Sequence, residues 1–155
     1  MQNKIITITG HKNCRKEFLV ADLSKEDGVQ YVKPYTNREV LPYLDETYKD
    51  MWNCIPTDEL SDKAMFEKVL AKTEINGHLY MFFDSQMTAP VNIVFADDYA
   101  VASIKENWDN VVTVRVVADD EIQSDRVGEY LYQHEFDYVF DYDKDNYQEL
   151  KEKLL

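Results

Sequence analysis

The run Val91–Ala96 reads V-N-I-V-F-A, apolar at nearly every position. A strand with one wet face alternates polar and apolar residues, so a run this continuous belongs to a strand covered on both faces. Lys4–Thr9 and Val111–Val117 are further runs rich in β-branched residues. Segments with helical spacing separate them. Cys14–Leu23 carries Phe18, Leu19 and Leu23. Thr57 is placed to cap a helix in which Leu60 is followed by Met65, Phe66, Val69 and Leu70. Asp97–Trp108 and Asp119–His134 are helical, and Asp145–Leu155 is amphipathic through Tyr147, Leu150, Leu154 and Leu155. Shorter strands are expected at Val29–Val32, at Leu79–Phe83 after the Asn76-Gly77 turn, and at Phe136–Phe140, while Tyr35–Asn53 is aromatic and irregular. Strands alternating with helices imply parallel βαβ units. The expected architecture is α/β: three layers around a mostly parallel sheet of about five strands, with Lys4–Thr9 and Val91–Ala96 central. At 155 residues the chain suits one domain, residues 1–155, with one substantial core.

Charge narrows the partners. The formal net charge is −13. Such a surface repels anionic membranes and makes direct nucleic-acid binding unfavourable unless charge is locally reversed. No run approaches the roughly 20 apolar residues of a membrane span, and the N-terminus has no signal-peptide pattern. Cys14 and Cys54 make no disulfide framework or zinc spacing, and His11, His78 and His134 form no metal or triad pattern. No metal site is expected, and a reduced cytoplasmic compartment is.

In open α/β sheets the functional crevice lies at the carboxyl ends of the strands. That rule gathers Gly10–Lys16, Tyr35–Arg38, Tyr80–Asp84 and Asp97-Asp98 near one rim. The first of these follows a strand and opens a helix, reading Gly10-His11-Lys12-Asn13-Cys14-Arg15-Lys16-Glu17. Against the phosphate-loop pattern G-x-x-x-x-G-K-[ST], Gly10 and Lys16 are in place. Arg15 replaces the second glycine and Glu17 the hydroxyl residue.

These pieces, in this order, resemble the guanylate kinase family of P-loop nucleoside-monophosphate kinases. "ITITGHKNCRKEFLV" stands where the family has its first strand, phosphate loop and helix. "YTNREVLP" is similar to the T-T-R segment that opens the GMP-binding region, here about residues 35–83. "FEKVLAKTEINGHLYMF", "VNIVFADDYAVASIKENW" and "EFDYVFDYDKDNYQELKEKLL" resemble later family segments. The resemblance implies a three-layer P-loop fold. It implies that Gly10 and Lys16 belong to the loop that holds ATP phosphates and that Lys16 is the catalytic lysine of an active enzyme. Arg38 and Tyr80 would contact the GMP phosphate, and Asp97 or Asp98 would help hold the base or organise the site. An active member would use ATP and Mg²⁺.

The departures point the other way. A left-handed turn at Arg15 costs a non-glycine residue ~1 kcal/mol or more. Glu17 removes a magnesium-binding hydroxyl and adds an anion at a helix N-terminus. The family's second arginine after T-T-R is missing from Glu39-Val40-Leu41-Pro42, and the arginine-bearing lid is shortened to about residues 119–135, with Arg126 alone. Phosphoryl transfer relies on such cations. The first reading is therefore a divergent, catalytically inactive domain with no bound cofactor, acting through a protein partner or residual GMP-like binding. The second is an active guanylate kinase, and the third an acidic protein that mimics nucleic acid. Small size and eroded motifs would suit a phage protein.

Plainer roles compete at each position. Gly10–Glu17 could be an ordinary turn, Arg38 an ion-pair partner of Glu39 or Asp45, Tyr80 a core residue, and Asp97-Asp98 a helix cap. The aromatic set Tyr31, Tyr35, Tyr43, Tyr48 and Trp52 could line a base pocket or cover a small core.

Overall fold

The structure is a computed structural model and describes residues 2–10, 14–39, 52–117 and 136–155. Strand β1 (Lys4–Gly10) lies at the middle of a five-stranded sheet. It is flanked by β7 (Val91–Phe95) and β8 (Val111–Val117), with β2 (Val29–Tyr31) and β9 (Tyr138–Asp141) at the edges. Every pairing in this sheet is parallel, as with Ile6 opposite Ile93 and Ile8 opposite Val114.

Side chains alternate across β1 and feed two cores. Ile6 and Ile8 pack with Ile93, Val114 and Val116 beneath α1 (Lys16–Leu23) and α4 (Tyr147–Leu154), which contribute Leu19, Leu23, Leu150 and Leu154. On the other face, Ile5 and Val94 meet Ala100, Val101 and Ile104 of α3 (Asp98–Asn107). The layers are thus helix, sheet and helix, with β1 and β7 central as expected. Two helices begin on side-chain caps. Asn146 accepts from the backbone of Gln148 and Glu149 at 2.8 and 3.3 Å, and Asp97 accepts from Ala100 at 2.8 Å.

A second sheet has the order β4-β3-β6-β5. Its members are β3 (Tyr35–Thr36), β4 (Asn53–Cys54), β5 (Val69–Ile75) and β6 (His78–Phe83). The turn between β5 and β6 holds Asn76 at φ 52° and Gly77 at φ 80°, which is the left-handed pair that an Asn-Gly hairpin supplies. Helix α2 (Thr57–Phe66) covers one face, where Leu60 packs on Met81 and Phe83.

The sequence reading needs correction here. Val69 and Leu70 do not continue α2; they start β5, and Leu70 is buried against α3. The apolar spacing of Met65, Phe66, Val69 and Leu70 spans a helix end and a strand start, which a period of 3.6 cannot distinguish over one turn. The expected irregular stretch Tyr35–Asn53 contributes two short strands. The helix expected at Asp119–His134, the lid at 119–135, and Tyr43, Asp45 and Tyr48 lie outside the described residues. Among the described residues no helix is long and apolar enough to cross a membrane.

Three tyrosines make the fold sensitive to alkali. Burial pushes the Tyr31 phenol up to about 12 and raises Tyr142 and Tyr147 as well, with Asp22 adding to both. Below pH ~10 the phenols are protonated folded or unfolded; above it the unfolded chain ionises first and the folded state loses ground. Urea unfolding should show stability falling as pH rises from about 10 toward 12, by up to ~1.4 kcal/mol per pH unit for each such group. Tyr31→Phe should flatten part of that slope.

Candidate functional site

The carboxyl ends of β1 and β7 and one face of β5 and β6 enclose a cleft of about 450 Å³. Gly10, Lys16, Arg38, Tyr80 and Asp97 all line it. Asp98 does not. It is buried in the first turn of α3 at 4% exposure. Asp97 also caps α3, so the plainer role assigned to it is real and coexists with its place in the cleft.

The loop end of the cleft is tight. A Cβ on Gly10 would lie 2.5 Å from Cys14 Sγ and 2.8 Å from the Val116 carbonyl oxygen. Glycine is required here for close approach, since Cys14 is packed against the end of β1. Arg15, at the position of the missing second glycine, takes φ 68° and ψ 21°. The chain therefore makes the left-handed turn with an arginine and without a side-chain cap. The Arg15 guanidinium turns outward to Asp143, 3.0 Å away. Lys16 donates from Nζ to the Gly10 carbonyl oxygen at 2.7 Å. Glu17 is exposed in the first turn of α1 and borders the cleft.

The opposite wall is organised around the Thr36-Asn37-Arg38 segment. Thr36 is buried, and its Oγ1 accepts from the Arg38 backbone N–H at 3.1 Å. Asn37 donates to Thr57 Oγ1 at 3.3 Å and accepts from the Leu79 N–H at 2.9 Å, which ties the segment to α2 and β6. The Arg38 guanidinium carbon sits 4.7 Å from the centre of the Trp52 ring. Trp52 in turn lies 6.3 Å from Tyr80, ring centre to ring centre. Among the described residues Arg38 makes no ion pair, so the pairing with Glu39 that the sequence allowed is not found. Burial pushes the nearby Cys54 thiol up, and Arg38 partly offsets that.

Tyr31 and Trp52 of the aromatic set line the cleft, whereas Tyr35 packs edge-on against Phe83 in the small core. Thr73, Phe82 and Phe95 also line it and were not singled out from sequence. Their signal is strand alternation: Phe82 shares a face with Tyr80, and Thr73 pairs directly with Tyr80.

Lys16 is thus bonded to backbone, and the next residue, Glu17, adds a carboxylate at the start of α1. Among the described residues no three His, Cys, Asp or Glu side chains gather as a metal site.

No protein-family model and no curated protein matches the sequence. Among solved structures, the guanylate kinase from Anaplasma phagocytophilum is similar in fold. The TM-score is 0.64 over 98% of this chain and 82% of that one, at 12% identity. The fold is thus guanylate kinase-like: a five-stranded parallel sheet in an α/β chain, with the cleft at its carboxyl edge.

Gly10→Ala should destabilise the chain by ~1–3 kcal/mol, because the Val116 carbonyl is backbone and cannot yield as a side chain can. Urea midpoints should record the loss. Adding Cys14→Ala should recover only part of it.

Proposed function

We propose that the chain is a single, divergent guanylate kinase-like domain that does not transfer phosphate and retains a cleft for a GMP-like nucleotide, working in a reduced cytoplasmic setting. One observation carries this reading: Arg38 and Tyr80, the two residues that the resemblance assigns to the acceptor phosphate, line the same cleft. Arg38 brings a planar cation whose N–H donors match a phosphate's oxygens. Trp52 holds that plane by stacking, and also offers a face on which a base could rest. On a chain of charge −13, an anion needs this local reversal of sign.

The donor half is where catalysis is lost. Lys16 meets the Gly10 carbonyl, Arg15 meets Asp143, and Glu17 is anionic. A lysine bonded to a carbonyl, beside an anion, is poorly placed to hold a γ-phosphate. The active-kinase reading rests on Gly10, Lys16, Arg38 and Tyr80 sharing the cleft, and one experiment separates the two. In calorimetric titrations GMP should bind and Mg-ATP should bind far more weakly, with no turnover to ADP and GDP. Arg38→Ala should weaken GMP by about tenfold or more, as loss of a charge-assisted hydrogen bond does. Tight Mg-ATP binding with turnover would establish the kinase instead. If GMP fails to bind, the cleft serves a protein partner or nothing at all.

Restoring the loop gives a second test. Arg15→Gly with Glu17→Ser relieves the left-handed arginine, at ~1 kcal/mol, and removes an anion beside the helix N-terminus. The double variant should bind ATP more tightly than wild type by calorimetry, and its melting temperature should rise by about 2–4 °C, because the lost Arg15–Asp143 pair is exposed and offsets little of the relieved strain.

A further inference from the structure

Helix α2 has two faces that do different things. Leu60, with Ala64 beside it, packs on the small sheet, and Lys63 lies over the Tyr35 and Phe83 rings while pairing with Glu67. The other face carries Asp58, Glu59, Asp62, Met65 and Phe66, all exposed. At 100° per residue, Asp58, Asp62, Met65 and Phe66 fall within one stripe about a quarter-turn wide, with Glu59 at its border.

Two features of this stripe have no partner among the described residues. Met65 is 77% exposed and Phe66 85%. They are adjacent, large and apolar, and such pairs are enriched at the buried centres of interfaces. The carboxylates of Asp58, Glu59 and Asp62 make no ion pair or hydrogen bond with another described residue. Asp58 and Glu59 sit in the first turn, where they also favour the helix N-terminus. Asp62 is in mid-helix and has no such role.

We infer that the outer face of α2 docks a basic amphipathic helix of a partner protein, with its apolar side chains on Met65 and Phe66 and its lysines or arginines on Asp58, Glu59 and Asp62. Charge complementarity selects this occupant. A second copy of the chain fits badly. Antiparallel pairing of two α2 helices would bury carboxylates against Met65 and Phe66, parallel pairing would set carboxylates against carboxylates, and each chain brings a charge of −13. Nucleic acid and anionic membranes meet the same repulsion.

The surface is separate from the cleft. Along β6, Tyr80 and Phe82 line the cleft, while Met81 and Phe83 pack under α2. A partner on α2 therefore leaves the cleft open.

The test uses the full chain and a synthetic amphipathic helix of leucine and lysine, with leucines at i, i+3, i+4 and i+7, followed by fluorescence anisotropy. A peptide of equal charge with serine in place of leucine is the control. Met65→Ser with Phe66→Ser should weaken binding of the leucine peptide about tenfold, with the fold checked by its melting curve. Asp58→Asn with Glu59→Gln and Asp62→Asn, which leaves the apolar pair intact, should weaken it by a similar factor at low salt. Glu149→Gln with Glu152→Gln on α4 should not. The proposal is overturned if the leucine peptide does not bind, if the serine peptide binds equally well, or if the α4 change weakens binding as much as the α2 change. It is also overturned if sedimentation finds a wild-type dimer that the Met65→Ser, Phe66→Ser variant lacks, since a second copy would then be the occupant.

Discussion

Strand β1 is buried on both faces, and both large cores are built against it. Ile5, Ile6 and Ile8 have at most 1% exposure, and burying each such side chain is worth roughly 1.5–3 kcal/mol. The Gly10–Glu17 side of the site inherits its position from this strand. Its last residue, Gly10, is pressed between Cys14 and the Val116 carbonyl, and α1 starts from the turn that follows. Parallel pairing with β7 and β8 brings the carboxyl ends of all three strands to one rim. A cleft at that rim is a consequence of the topology before any ligand is considered.

The cations near the cleft are held in different ways. Lys16 is bonded to a carbonyl and Arg15 pairs with Asp143, whereas Arg38 lies over an aromatic ring, which orients a guanidinium without neutralising it. Arg15 takes the left-handed conformation that a glycine adopts at less cost.

Much of this was legible in the sequence, for identifiable reasons. β1, β7 and β8 are continuous enough in β-branched and apolar residues to declare burial on both faces, and the Asn-Gly hairpin announces itself. The shared cleft of Gly10, Lys16, Arg38, Tyr80 and Asp97 was legible through motif order and the carboxyl-edge rule. Other features were not. β3 and β4 have two residues each, too few for any periodicity to register. The end of α2 was hidden because Val69 and Leu70 extend a helical spacing into a strand. Apolar spacing reports what could be buried, and only the packing partner decides what is: Phe66 is exposed. The left-handed Arg15 could be argued only as a cost, since a sequence does not say whether a chain accepts strain.

The pairing of β1 also governs how the chain must be made. Its two neighbours begin at Val91 and Val111, so the central strand is synthesised well before either of them and waits, unpaired on both edges, until they have been made. An exposed strand with a β-rich sequence is a template for association with other chains, and long-range parallel pairing is slow to form because loop closure precedes its reward. A surface of high net negative charge keeps such intermediates apart. The acidity that discourages nucleic acid and membranes thus also protects the nascent chain while its central strand has no partner.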